Sequence, residues 1–462
     1  MLGDGTWVSA PKGEFEKDQR LELIYENGRP SYFKENRLQE SDMPWISEAN
    51  TGYLQARSPF SGTKSGYSSP SAMSMASDAS TPPTSVVHSP PRSSPRSSPR
   101  SSANMKSSDS SSADGTGGEP AYGRRLIPQI MDQVARYNPN RVVFSIATTS
   151  DAGLTFRDIS AHTFAKAVDK TAWWLHDQIG KSASVRPVGY VGPHDLRHVL
   201  LTYACVKVGY AALNLSPKNS VEGALAVLEA TECNVWAKAS DVPAAPLVKS
   251  FLERRSMKLL ELPLLDDLLD AEAAKPFPFT KTFDAAVSEP FCYLHTSGST
   301  GVPKPIPWSH GLIGTMDAIR LLPPVDGDGG MVPWTSDWKE GDRIYSSFPM
   351  CHGAGIIMDI LMPALFDLQC VLGPKNVIPN MSLIENLADG AKIDIWSMVP
   401  SLVDELGDTP DVLAKLHTSK FICASGGPVS PVSAGKVNDV IRVLNLTGTT
   451  EGLFIGNLVV DR

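Results

Sequence analysis

Residues 293–311 read YLHTSGSTGVPKPIPWSHG, either a solvated linker or a ligand-binding loop at the end of a strand. A short apolar run leads at once into Thr296, Ser297, Gly298, Ser299, Thr300 and Gly301, with Lys304 just beyond. Serine- and glycine-rich stretches are most often solvated linkers, so position has to argue otherwise. FCYLH, at 291–295, has the residues of a strand. A Gly/Ser/Thr run placed directly after a strand lies where an open α/β sheet presents ligands, beyond the carboxyl ends of its strands. Glycines let consecutive backbone N–H groups turn inward as an anion-binding nest. The hydroxyls of Ser297, Ser299 and Thr300 add donors, and Lys304 adds a point charge. A polyphosphate suits that chemistry.

Spacing excludes two familiar phosphate loops. Walker A requires GxxxxGK, and counting from Gly298 puts Pro303 where the second glycine belongs. The dinucleotide pattern GxGxxG fails because Gly353-Ala354-Gly355 is followed by Met358. No GxSxG elbow occurs, which disfavours an α/β-hydrolase.

On either side of that stretch, VVFSIA (142–147), VGYVG (188–192) and CNVWA (233–237) read as strands, as do DIWSMV, FICAS and VLNLTG further on. Between Asp195 and Gly209, helical spacing puts Leu196, Val199, Leu200, Tyr203 and Ala204 on one face. Short apolar strands alternating with such helices predict an α/β fold of largely parallel sheets layered with helices. From Ser58 to residue 120 the chain is instead dominated by Ser, Pro, Gly and Thr, including SPPRSSPRSSPRSS at 89–102. That composition buries too little apolar surface to offset its ordering entropy, so 58–120 is expected to be a disordered linker. Residues 1–57 show no sustained period and are left unassigned; residues 121–462 form the folded domain.

The net charge of −8 and 42% hydrophobic content argue against nucleic acid or an anionic membrane as partner. No apolar run reaches the length of a membrane span, and the first twenty residues contain no secretory signal. The six cysteines include no CxxC pair, which disfavours zinc and a disulfide framework and fits a cytoplasmic protein.

TSGSTGVPK resembles the phosphate-binding signature of the adenylate-forming (AMP-binding, acyl-CoA synthetase-like) superfamily. CVKVGYAALNLSP (205–217), FPMCHGAG (348–355), ASGGPVS (424–430) and TGTTEG (447–452) are similar to further motifs of that family, in the expected order. The resemblance covers residues 121–462 and is nearest to the adenylation domains of fungal peptide-synthetase-like carboxylic acid reductases. It implies that ATP and Mg²⁺ activate a carboxylic acid to an acyl-adenylate, with a phosphopantetheinyl carrier domain as a further partner.

By the same resemblance, Thr296, Ser297, Gly298, Ser299, Thr300, Gly301 and Lys304 hold the β/γ-phosphates. Thr450 contacts the α-phosphate, and Glu451 is the metal ligand. Gly426, Gly427, Asn445, Leu446, Thr447, Gly448 and Thr449 lie against the nucleotide, and His352 stands between it and the acid. His295 and His310 flank the phosphate loop, with structural roles favoured for both.

Two departures qualify the resemblance. The family often has an aromatic residue where Thr447 stands, so either another side chain stacks on adenine or nucleotide affinity is reduced. Members that activate α-amino acids usually carry an acid in the FPMCHGAG region. Here none occurs before Asp359, which favours an aryl or keto acid.

The resemblance also implies a β-barrel portion and a C-terminal lid with a catalytic lysine, and neither lies within these residues. Weak ATP binding and little adenylation are therefore expected of 1–462. The competing expectation is a non-catalytic nucleotide-binding or scaffolding remnant with a Ser/Pro-rich interaction tail.

Overall fold

The computed structural model of the chain describes residues 24–26, 29–31, 121–151, 153–296, 302–323, 331–375, 377–454 and 458–460. The linker expected at 58–120 and the loop residues Ser297, Gly298, Ser299, Thr300 and Gly301 lie outside them. The chain divides into two units, Met1–Asp109 and Ser110–Arg462. In the first, the described residues form an antiparallel ribbon of β1 (Ile24–Glu26) and β2 (Arg29–Ser31).

In the second unit, the helix Ile127–Tyr137 leads into the antiparallel pair β3 (Val142–Ser150) and β4 (Gly153–Ser160). There follow β5 (Arg186–Tyr190), β6 (Tyr210–Asn214), β7 (Val235–Ala239), β8 (Lys258–Leu262), β9 (Pro290–Thr296) and β10 (Lys304–Ser309). These six form one sheet in the order β10-β9-β6-β5-β7-β8. After β11 (Met331–Pro333) come β12 (Arg343–Ser346), β13 (Gln369–Leu372), β14 (Ile395–Met398), β15 (Phe421–Ser425) and β16 (Arg442–Leu446). The last five join β3 and β4 in a seven-stranded sheet, β16-β15-β14-β12-β13-β3-β4. Two ribbons complete the unit: β17 (Gly448–Thr449) with β18 (Leu453–Phe454), and β11 with β19 (Leu458–Val460).

Both large sheets are parallel except at one edge, where β10 and β4 run antiparallel to their neighbours. Parallel strands covered on both faces need near-continuous apolar runs, and β6, β13, β14 and β15 are buried along their whole length. The expected α/β architecture of parallel sheets layered with helices is the observed one.

One helix departs from its expected pattern. Leu196–Val208 starts at Asp195, whose side chain accepts from the Arg197 N–H, and ends at Gly209, whose φ of 92° is left-handed. The five residues expected on its inner face are buried, but so are all the others. Its polar members are tolerated inside because each has a partner. Arg197 pairs with Asp195 at 2.7 Å and Asp241 at 2.6 Å, and Lys207 with Asp132 and Asp169, both at 2.8 Å. His198 Nε2 lies 2.6 Å from Asn214 Oδ1. Tyr203 donates to the Ile360 carbonyl at 2.9 Å, tying this interior helix to the chain that follows the FPMCHGAG motif.

Candidate active site

The phosphate-loop candidate is the connection of a β-hairpin. β9 and β10 pair in antiparallel register with Lys304 opposite Thr296, so both ends of the 297–303 connection are held side by side. Lys304 is exposed and makes no ion pair among the described residues. Thr296 ends the strand at the wall of a cavity of about 610 Å³.

That cavity gathers the separate motifs. Its wall includes Thr296, His352, Gly426 and Thr450, together with Ser216–Asn219, Leu294, His295, Phe348, Cys351, Val399, Pro400 and Ser425. Gly426 follows β15 with φ +91°, a left-handed turn that favours glycine. Thr450 sits in the turn of the β17–β18 hairpin, where the Gly452 N–H donates to Thr449 Oγ1 at 3.0 Å. Leu453, next in line, is buried at φ +57°, a strained conformation for a leucine.

Other candidates adjoin the cavity without lining it. Asn445 and Leu446 belong to β16, opposite Ala424 and Ser425 of β15. Gly427 packs near Pro400, and Thr447, Gly448 and Thr449 lead to the turn. Glu451 is exposed, beside Thr450, and forms no ion pair among the described residues. No group of three or more His, Cys, Asp or Glu side chains suited to a metal occurs among those residues. A single free carboxylate of this kind fits Mg²⁺, which usually takes one or two carboxylates, waters and substrate phosphates.

The histidines of the wall are neutral, and the geometry assigns their tautomers. His352 caps the short helix Gly353–Gly355, its Nδ1 accepting from the Ala354 N–H at 3.3 Å, so its proton sits on Nε2. Its ring stacks at 5.8 Å on Phe348, and desolvation at the pocket wall lowers its pKa although the residue is exposed. His295 Nε2 accepts from the Ser216 N–H at 3.0 Å and lies 3.2 Å from Asn219 Nδ2, which leaves its proton on Nδ1. Desolvation lowers its pKa too. His295 therefore fastens the 216–219 loop to the end of β9. His310 begins the helix His310–Ala318, is buried against Phe291, and has its pKa pushed down by desolvation to about 4.

Cys351, raised by burial to about 11, remains a thiol and offers no nucleophile. Among the described residues, the wall carries one charged side chain, Lys218, and no carboxylate. Asp359 is elsewhere. It is fully buried in the π-helical turn Ile356–Leu361, where desolvation raises its pKa well above the ordinary range and Cys370 Sγ donates to it at 3.5 Å. Sequence reasoning missed the 216–219 loop, Phe348's stack and Trp308. Trp308's signal was a lone aromatic in PKPIPWS, beside the phosphate motif.

The chain matches the AMP-binding enzyme family over residues 131–461 and belongs to it. It is 62% identical to the isocyanide synthase-NRPS hybrid crmA of Aspergillus fumigatus, across 100% of this chain and 30% of that protein. It is 31% identical to a carboxylic acid reductase of Neurospora crassa, over 72% of this chain and 32% of the reductase. The chain thus spans about a third of the length of these curated relatives. Among solved structures, the N-terminal subdomain of Klebsiella oxytoca NpsA, in complex with 3-hydroxybenzoyl-AMSN, has the same fold. The TM-score is 0.56 at 17% identity, covering 72% of this chain and 75% of that one. The matched residues share the fold of that N-terminal subdomain.

Proposed function

We propose that this domain activates a carboxylic acid lacking an α-amino group, aryl or keto in character, by transferring it to the adenylyl group of ATP. The acid's carboxylate oxygen attacks the α-phosphorus, an O–P bond forms, and the bond to the β-phosphate oxygen breaks to release pyrophosphate. Little covalent chemistry falls to the protein, so positioning and charge neutralisation carry the rate. In this reading the Thr296–Lys304 hairpin receives the β/γ-phosphates, and Thr450 donates to the α-phosphate. Gly426, Gly427 and 445–449 flank the adenosine. His352, neutral with its proton on Nε2, supplies a donor between acid and nucleotide. Glu451 would hold Mg²⁺, whose role is to offset phosphate charge.

One observation carries the choice of acid: no carboxylate among the described residues lines the cavity, and Asp359 is buried away from it with a raised pKa. A substrate ammonium would be desolvated there without a counter-charge. The reductase similarity supports carboxylic acids as the class. The artificially fused adenylation–PCP di-domain of Klebsiella oxytoca, which shares this fold, supports a phosphopantetheinyl carrier as acceptor. Six free thiols, five of them buried, support a reducing, cytoplasmic setting. No helix of the described residues is long and apolar enough to cross a membrane.

Sulfamoyl-adenosine analogues of the acyl-adenylate test the reading by calorimetry. A benzoyl or α-keto analogue is expected to bind at least about tenfold tighter than its α-amino counterpart, because the ammonium stays unpaired. Equal affinity, or preference for the amino form, would refute the assignment.

A further inference from the structure

We propose that Trp308 is a positioning residue of this site, holding the Thr450 turn against the phosphate hairpin through its indole N–H. The inference rests on the nucleotide reading above. Trp308 lies on β10, the returning strand of that hairpin, opposite Cys292 of β9. The register slips between Trp308 and Ser309, a bulge of the kind that re-aims a side chain. The indole is completely buried, and its Nε1 donates to the Thr450 carbonyl at 2.6 Å. Its six-membered ring also fills the space over Gly353: a Cβ there would lie 3.3 Å from Cζ2 and Cη2. One side chain therefore touches three separate motifs: its own hairpin, the glycine after His352, and the backbone of the Thr-Glu turn.

The consequence is geometric. β17 and β18 are short and pair only at Gly448–Phe454 and Thr449–Leu453, so the turn between them has little ladder to define it. An N–H bond to the Thr450 carbonyl fixes the peptide that follows the Thr450 side chain and leads into Glu451. Loss of that bond loosens Thr450 and Glu451 at the phosphate end, while the adenosine end keeps Asn445 and Leu446 held in register by β15. A residue that served only to fill the core would affect both ends alike.

Trp308→Phe removes the N–H and keeps an aromatic ring. The test compares Mg·ATP with adenosine on the full chain by calorimetry. The expected result is Mg·ATP binding weakened about three- to tenfold, the range of one neutral hydrogen bond, with adenosine binding unchanged. In parallel, the indole ¹⁵N–H resonance of Trp308, assigned by its absence from the variant, should shift on addition of Mg·ATP and hold still with adenosine. Unchanged Mg·ATP binding by the variant, or equal losses for both ligands, overturns the positioning role while leaving the nucleotide reading intact. If Trp308→Phe does not fold, Trp308→Tyr takes its place for both the binding comparison and the assignment, and a wild-type resonance that does not shift with Mg·ATP overturns the role. Failure of the wild-type chain to bind Mg·ATP at all overturns both, and is distinguishable at once.

Discussion

Glu451 shows how little a single residue needs when its neighbours supply the rest. It is an exposed carboxylate without an ion pair among the described residues, and it follows the one hydroxyl of its motif that reaches the cavity. Its proposed work begins only when phosphate oxygens complete the metal's shell. Glu451→Gln keeps the shape and removes the charge. It should weaken ATP binding in the presence of Mg²⁺ on the order of tenfold, a loss typical of altered metal shells. Binding measured in excess chelator should not change. Equal affinities with Mg²⁺ would move the metal to another ligand.

Among the elements, the interior helix Leu196–Val208 makes the sharpest physical statement. Its His198 is held neutral by desolvation, which lowers its pKa from 6.5 to about 4 against the Asn214 bond and the nearby Asp195, with His194 adding to the lowering. The unfolded chain takes up that proton near pH 6.5 and the folded one near pH 4, so stability is full above 6.5 and declines as pH falls between them. The loss from this one group amounts to at most about 3 kcal/mol. Urea midpoints should therefore drop from pH 7 to pH 4, and His198→Gln should flatten that slope. Parallel slopes for the two proteins would show that His198 is not titrating there.

The same helix marks the limit of what the sequence made legible. Its start, stop and buried face were readable from Asp195, Gly209 and the leucine spacing, because capping and periodicity are local. Its burial on every side was not, because Arg197 and Lys207 read as solvent-facing until Asp241, Asp132 and Asp169 arrive from elsewhere in the chain.

At the scale of the whole molecule, two largely parallel sheets bring residues more than 200 positions apart to a common wall. Ser216 and Thr450 share one cavity. The strands that do this were visible as apolar runs, and the motifs at their ends as glycine-bearing turns. What stayed hidden was the tie between motifs: His295 to the Ser216 loop, and Trp308 to Thr450. Each is a long-range contact made by a residue whose type says nothing of its partner. Hydrogen exchange on the full chain, with and without Mg·ATP, tests most plainly whether the hairpin and the Thr-Glu turn bind one nucleotide together. Peptides spanning 290–309 and 445–454 should slow together on adding nucleotide, while the β7–β8 edge of the first sheet stays unchanged. Nucleotide that slows neither segment, or slows the β7–β8 edge instead, would contradict a site built between the hairpin and the Thr-Glu turn.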